Sequence, residues 1–233
     1  MKLTLIQVPY DSGHYGVRMG KGPLHLIDQG LGDHEVDPVR LDGFLTEVTS
    51  APRLYREVAE RVSQAREKGR LPVVLSGNCN AAAVGSLAGI GEAGVVWMDA
   101  HGDLNTPDTT PSGFFDGMAI SVAMGRCWPT FTAKLPGFHP LDPRNLIHVG
   151  ARDFDPPELD VIEREGIARI PVGDLDRLDA ALADLATRVD QVYVHMDLDV
   201  LDPSELRANL FATPDGLTVA QMEEVVRATG RHL

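Results

Sequence analysis

The stretch Val95-Val96-Trp97-Met98-Asp99-Ala100-His101-Gly102-Asp103 decides the reading of this chain. A short apolar run of β character passes directly into alternating carboxylate and imidazole side chains. A second stretch repeats the pattern: Val192-Tyr193-Val194-His195-Met196 leads into Asp197-Leu198-Asp199. A third, Pro72–Leu75, leads into Ser76-Gly77-Asn78-Cys79-Asn80. Runs of four to eight apolar, β-branched residues bounded by turn formers have the length of strands. Leu3–Val8, Asn145–Val149 and Ala168–Val172 complete the set. Most are apolar on both faces, as in a parallel sheet covered by helices. Between them, Pro52–Gly69, Asn80–Ile90, Gly117–Gly125, Pro157–Gly166 and Leu178–Asp190 carry helical patterns, and another begins near Val219. Alternating strands and helices predict an α/β fold, a doubly wound three-layer α/β/α sandwich around a mainly parallel sheet.

In such folds ligands gather beyond the carboxyl ends of the strands. In extended chain alternate side chains share a face, so Asp99, His101 and Asp103 can point together, as can Asp197 and Asp199. Four clustered carboxylates repel one another unless a cation neutralises them. Carboxylate oxygens with one imidazole suit Mn²⁺, with Zn²⁺, Fe²⁺ or Co²⁺ as alternatives. Carboxylates bridging two ions about 3.5–4 Å apart form a common site for activating water in hydrolysis. The pattern D-x-H-x-D arises by chance only about 0.07 times in a chain of this length and composition. A lone aspartate at a strand end is ordinarily a cap or a turn former; five such residues at two strand ends read as a metal site.

The 233 residues carry 21 Lys+Arg against 34 Asp+Glu, a net charge of −13. That balance argues against nucleic acid or an anionic membrane as partner, since both need a basic face. No apolar run reaches a membrane span, and the N-terminus carries no signal-peptide pattern. Two cysteines, Cys79 and Cys127, cannot build a disulfide framework. The expectation is a soluble cytoplasmic protein with one domain over residues 1–233. The acids divide into 22 Asp and 12 Glu, a bias that caps, turns or metal ligation would each explain.

Several blocks resemble the ureohydrolase (arginase/agmatinase) family nearly end to end. They are Val8-Pro-Tyr-Asp-Ser-Gly13, Gly22-Pro-Leu-His-Leu-Ile-Asp-Gln-Gly-Leu31, Asp99-Ala-His-Gly-Asp-Leu-Asn-Thr-Pro107 with Ser112-Gly113, Gly150-Ala-Arg-Asp-Phe-Asp-Pro-Pro-Glu158, His195-Met-Asp-Leu-Asp-Val-Leu-Asp-Pro203 and Thr213-Pro214. The resemblance implies two Mn²⁺ ions per subunit and hydrolysis of a guanidino C–N bond through a hydroxide bridging them. Urea or hydroxyurea and an amine such as ornithine would be released, from a small guanidino substrate. It also implies a homo-oligomer, a trimer or hexamer. Asp99 and Asp197 would bridge the ions, Asp103 would complete one shell and orient the hydroxide, and His101 with Asp199 would complete the other. Asn105 and Ser112 would contact the substrate's carboxylate end, Asp155 its ammonium, and Thr213 the same region.

The chain departs from the family at three places. Cys79 stands where the family has a ligand histidine, and a thiolate prefers Zn²⁺ to Mn²⁺; Cys79 as a small buried residue is the competing reading. Asp116 stands where arginase has its proton-shuttling histidine, and a carboxyl group serves there only if its pKa is raised. The family's acidic residue on a later strand has no counterpart before His232-Leu233, so the chain reads as short by one strand–helix unit. The first two departures, with Asn78-Cys79-Asn80, Gly102-Asp-Leu-Asn-Thr-Pro-Asp-Thr-Thr110 and Pro214-Asp-Gly216, resemble the Nω-hydroxy-L-arginine amidinohydrolase branch of D-cycloserine biosynthesis. N-hydroxylation lowers guanidine basicity, which lessens the need for a strong proton donor. The departures also motivate a second reading, a non-catalytic metal- or ligand-binding relative. An agmatinase- or guanidinobutyrase-type enzyme and a deacetylase are further alternatives. Arg152 and Asp153 read equally as an ion pair or as substrate contacts. His148 and His195, inside apolar strands, read as structural.

Overall fold

The six apolar runs all become strands, and the structure, a computed structural model describing residues 2–43 and 45–232, gathers them into two parallel sheets. The chain divides into two compact units, Met1–Gly91 with Phe114–His139 and Glu92–Gly113 with Pro140–Leu233.

In the first unit β1 (Leu3–Val8) lies between β4 (Glu35–Pro38) and β5 (Leu71–Ser76), parallel to both. A two-residue hairpin of β2 (Tyr10–Asp11) and β3 (His14–Tyr15) follows β1. Neither β4 nor the hairpin shows in the apolar pattern, because Glu35-Val-Asp-Pro38 offers a single apolar strand former. The helices of this unit are α1 (Lys21–Asp28), α2 (Glu47–Glu67), α3 (Cys79–Ile90), α4 (Ala119–Ala123) and α5 (Pro129–Thr132). Sequence reasoning starts α2 at Pro52, but the helix begins five residues earlier. Thr46 caps it, accepting from the Thr49 amide while Thr49 Oγ1 accepts from the Thr46 amide. Pro52 is accommodated inside the first turns at the loss of one backbone bond. The helix expected over Gly117–Gly125 contracts to α4. Helix α3 is built of small residues and nearly every position is buried. Its Gly85 lets α2 approach so closely that a Cβ there would lie 2.6 Å from Val58 Cβ. Ile6, Val8, Tyr10, Leu54, Val58, Val62 and Ala81 form one cluster, and Tyr55, Val84, Phe115, Met118 and Val122 another.

The second unit holds β6 (Gly94–Met98), β7 (Leu146–Val149), β8 (Ala168–Ile170) and β9 (Val192–Met196), in the parallel order β8-β7-β6-β9. Its helices are α6 (Pro156–Glu165), α7 (Leu178–Leu185) and α8 (Val219–His232). Val96 and Met98 of β6, with Ile147 and Val149 of β7, share one sheet face and pack with Leu182 and Leu185 of α7 and Val225 and Ala228 of α8. Each fully buried leucine there contributes about 2 kcal/mol of transfer free energy. Strand β9 departs from the expectation of burial on both faces: Val194 and Met196 are 36% and 38% exposed, as an edge position allows. Among the described residues no helix is long and apolar enough to cross a membrane.

Candidate metal centre

The decisive adjacency is that of β6 and β9. Their parallel register pairs Trp97 with His195 and Met98 with Met196. Asp99 and Asp197 therefore leave the sheet at the same level, and the Asp197 amide donates to the Met98 carbonyl at 2.9 Å. The third stretch, β5, which leads into Cys79, pairs with β1 in the first unit. Past the strand ends the β6 and β7 segments stay paired, through a bridge between His101 and Asp153 and amide bonds from Arg152 and Asp153 to the Ala100 carbonyl at 2.9 and 3.0 Å.

Asp99, His101 and Asp199 converge, with one ligand-type atom from each within 4.8 Å of the others. Residues 99 and 199, a hundred positions apart, are 1% and 2% exposed. His101 Nδ1 lies 3.3 Å from Asp99 Oδ1 and 3.5 Å from Asp199 Oδ2. Asp99 Oδ1 also accepts from the His101 amide at 2.8 Å, and Asp199 Oδ1 from the Ala100 amide at 3.3 Å. Burial opposes protonation of His101, but the hydrogen bond and charge of Asp99, with the charges of Asp199 and Asp197, outweigh it and raise the imidazole to about 9. Burial pushes the Asp199 carboxyl up and the charge of Asp99 adds to that. For Asp99 burial is outweighed by the hydrogen bond and charge of His101, so its carboxyl stays below the usual range. An imidazolium between two buried carboxylates holds the charge balance that a divalent cation would otherwise supply. The donor set of two carboxylates and an imidazole fits such an ion.

Asp103 and Asp197 sit on the same two segments. Asp103 is buried and adopts φ +52°, a left-handed conformation unusual outside glycine. Asp197 is half-buried and its Oδ1 accepts from the Asp199 amide at 2.8 Å, which turns the chain just past β9. Asn105 and Asp155 are brought together, the Asn105 amide donating to Asp155 Oδ2 at 2.8 Å. Thr109 donates to Asn105 Oδ1 at 2.9 Å and so fixes the amide's orientation. Ser112 lies exposed on the loop, and Thr213 donates to Asp153 Oδ2 at 3.4 Å rather than to Asp155.

Cys79 and Asp116 belong to the first unit. Cys79 is the first residue of α3 and half-buried. Asp116 takes up the free amide of Asn80 in the first turn of α3, at 3.2 Å. It also accepts from the side-chain amides of Asn78, at 2.5 Å, and Asn80. Both asparagines are oriented as donors from behind: the Ser12 amide donates to Asn78 Oδ1 at 3.1 Å, and the Tyr55 hydroxyl to Asn80 Oδ1 at 3.2 Å. Burial pushes the Asp116 carboxyl up against these donors, to about 7. A carboxyl group that keeps its proton to neutrality is what a proton donor at this position requires.

Three residues support the site, of which the sequence singles out only Arg152, as an ion-pair or substrate-contact candidate. Among the described residues Arg152 forms no ion pair; it donates to the main-chain carbonyls of Gly150, Asp199, Val200, Leu201, Thr213 and Pro214 at 2.6–3.4 Å. It thus binds the Asp199 segment to the loop that ends at Pro214. Glu158, 3% exposed, accepts from the Leu104 amide at 2.9 Å and the Asp155 amide at 2.8 Å, clasping the 101–105 loop to the start of α6. Asn209 donates to Asp199 Oδ2 at 2.9 Å. The Asp155-Pro-Pro-Glu158 spacing announces a helix start, but nothing local says that Glu158 also reaches a loop 54 residues away.

Comparison with known proteins places these features. Residues 2–233 match the profile of the arginase family. The arginase of Bacillus caldovelox is 33% identical over 233 aligned positions, covering 87% of this chain and 77% of its own. Its native crystal structure superposes with a TM-score of 0.81 at 27% identity, over 97% of this chain and 85% of that one. The arginase structure from Bacillus cereus gives a TM-score of 0.82 at 29% identity, over 97% and 84%.

Proposed function

The chain belongs to the arginase family, and from that premise we propose that it is a metal-dependent amidinohydrolase that cleaves the guanidino C–N bond of arginine or Nω-hydroxyarginine. The observation that carries the reading is the buried group of Asp99, His101 and Asp199 at the ends of adjacent parallel strands. These three would hold the metal, with Asp103 and Asp197 as further ligands on the same segments. Two Mn²⁺ ions, when bound, supply water activated at neutral pH and neutralise the carboxylates.

The residues of this chain bind, orient and shield. Asp99 is aimed by the Trp97 indole, which donates to its Oδ2 at 3.2 Å, and Asp199 by Asn209. Asn105 and Asp155 form a polar pair suited to the amino-acid end of the substrate, with the Asn105 amide toward the carboxylate and Asp155 toward the ammonium. Ser112 and Thr213 extend that contact. The pair favours an amino-acid guanidine over agmatine or guanidinobutyrate, each of which lacks one of the two charges. Asp116 in place of a histidine favours Nω-hydroxyarginine, whose N-hydroxyguanidine is less basic than a guanidine; the amine that leaves is the same for both substrates.

The test is incubation of the Mn²⁺-loaded protein with arginine, Nω-hydroxyarginine, agmatine and guanidinobutyrate, with product analysis for urea, hydroxyurea and amine. Release of ornithine from arginine or its N-hydroxy form is expected. No turnover of any of the four would overturn the enzymatic reading and leave a metal- or ligand-binding relative.

A further inference from the structure

We propose that His195 is a metal ligand of this protein, supplying Nε2 to a divalent transition cation that it shares with Asp99. Its side chain is 5% exposed, and Nε2 makes no hydrogen bond to any described residue. A buried ring nitrogen without a partner is uncommon and calls for an explanation. A ring nitrogen of His195 lies within 4.8 Å of an Asp99 carboxylate oxygen, yet no hydrogen bond joins them. Two ligand atoms each about 2.1 Å from one ion stand roughly 3–4.2 Å apart, a range that lies inside that limit.

The ring is also held as a ligand's ring is held. It stacks on Trp97 with centroids 3.7 Å apart and planes 13° from parallel, and the Tyr193 hydroxyl sits 2.9 Å from Nδ1. A hydroxyl at this distance can accept from Nδ1–H, the tautomer that leaves Nε2 for metal. With the proton on Nδ1 directed to the Tyr193 oxygen, Nε2 presents its lone pair. Trp97 meanwhile donates to Asp99 Oδ2, so one indole positions both donors. Asp99 thus belongs to two groups of ligand-type atoms, one with His101 and Asp199 and one with His195. The β6–β9 register produces it, since the residue paired with Trp97 is His195.

This assignment rests on the metal-centre reading above, and one set of measurements separates the two. Mn²⁺ affinity and stoichiometry are measured by equilibrium dialysis and elemental analysis, and ¹⁴N coupling to bound Mn²⁺ by pulsed EPR. The chains compared are the wild type, His195→Phe, His101→Ala and the double variant. Phenylalanine keeps the stack on Trp97 and removes the nitrogen. His195→Phe is expected to bind Mn²⁺ at least about tenfold more weakly, and His101→Ala to retain imidazole ¹⁴N coupling that disappears in the double variant. Unchanged affinity and coupling in His195→Phe would overturn the ligand assignment and leave the metal centre standing. A wild-type protein that binds no Mn²⁺ would overturn both. If His195→Phe does not fold, His195→Gln serves for the affinity comparison with the same expected loss.

Discussion

Replacing Asp116 with asparagine should remove a pH dependence of stability that the wild-type protein carries. The Asp116 carboxyl ordinarily titrates at 3.8 and is raised by burial to about 7 in the fold. The folded state therefore holds a proton that the unfolded chain has released between those values. Stability from this group is greatest below the unfolded pKa and declines as pH rises toward the folded one, levelling off beyond it. At about 1.36 kcal/mol per unit, the span from about pH 5.5 to about pH 8.5 crosses roughly 1.5 units of that decline, or about 2 kcal/mol. Asp116→Asn keeps the size and abolishes the titration. Its amide NH₂ faces the donors of Asn78 and Asn80, a pH-independent cost of about 1–3 kcal/mol. Urea denaturation of both proteins at several pH values isolates the term, because every other titrating group cancels in the difference. The wild-type advantage over Asp116→Asn should shrink by about 2 kcal/mol across that range. Parallel curves, or an advantage that grows with pH, would show that the three donors outweigh burial and that the carboxyl is ionised throughout.

Other outcomes follow from the second unit. Asp99→Ala and Asp199→Ala should each abolish turnover and reduce bound Mn²⁺, read by elemental analysis after dialysis; full metal content with full activity in either would contradict the ligand assignment. In the metal-free protein His101 titrates near about 9, and a metal must displace its proton. Mn²⁺ affinity should therefore rise roughly tenfold per pH unit below that value and flatten above it, measurable by calorimetry in buffers of different ionisation enthalpy. The sign is opposite for the stability of the metal-free fold: the contribution of a raised imidazole is complete below its unfolded pKa and is lost as pH rises through about 9. Arg152→Lys keeps the charge but not the planar fork that reaches six carbonyls. A loss of about 2–4 kcal/mol in denaturant unfolding is expected, with weaker Mn²⁺ binding because the Asp199 backbone is released.

Legibility followed the physical range of each signal. β1 and β9 were readable residue for residue, because a short β-branched run between turn formers has few alternative structures. β4 and the β2–β3 hairpin were not, since they are short with few apolar residues and their pairing is set by β1 and by the Ser12-Gly13 turn. The start of α2 was misplaced because Pro52 suggests a first-turn proline, while the Thr46–Thr49 cap that sets the boundary is a weaker pattern. His195 read as structural because an apolar strand surrounds it in sequence; only the register to Trp97 and the nearby Asp99 carboxylate reveal the orphaned nitrogen.

By itself the sequence determined that Asp99 and His101 can share a face, since the period of two in extended chain is local geometry; Asp197 and Asp199 depart from that period, because Leu198–Val200 turns into a 3-10 helix capped by Asp197. It also determined that helices and parallel strands alternate and that chemistry collects past the strand ends. The choice of neighbours belonged to the tertiary structure alone. That β6 pairs with β9 and not with β5, that Asp199 meets His101 across a hundred residues, and that Arg152, Glu158 and Asn209 hold the loops are long-range facts. No local pattern encodes them, because they depend on which apolar faces pack together and on where buried donors find acceptors.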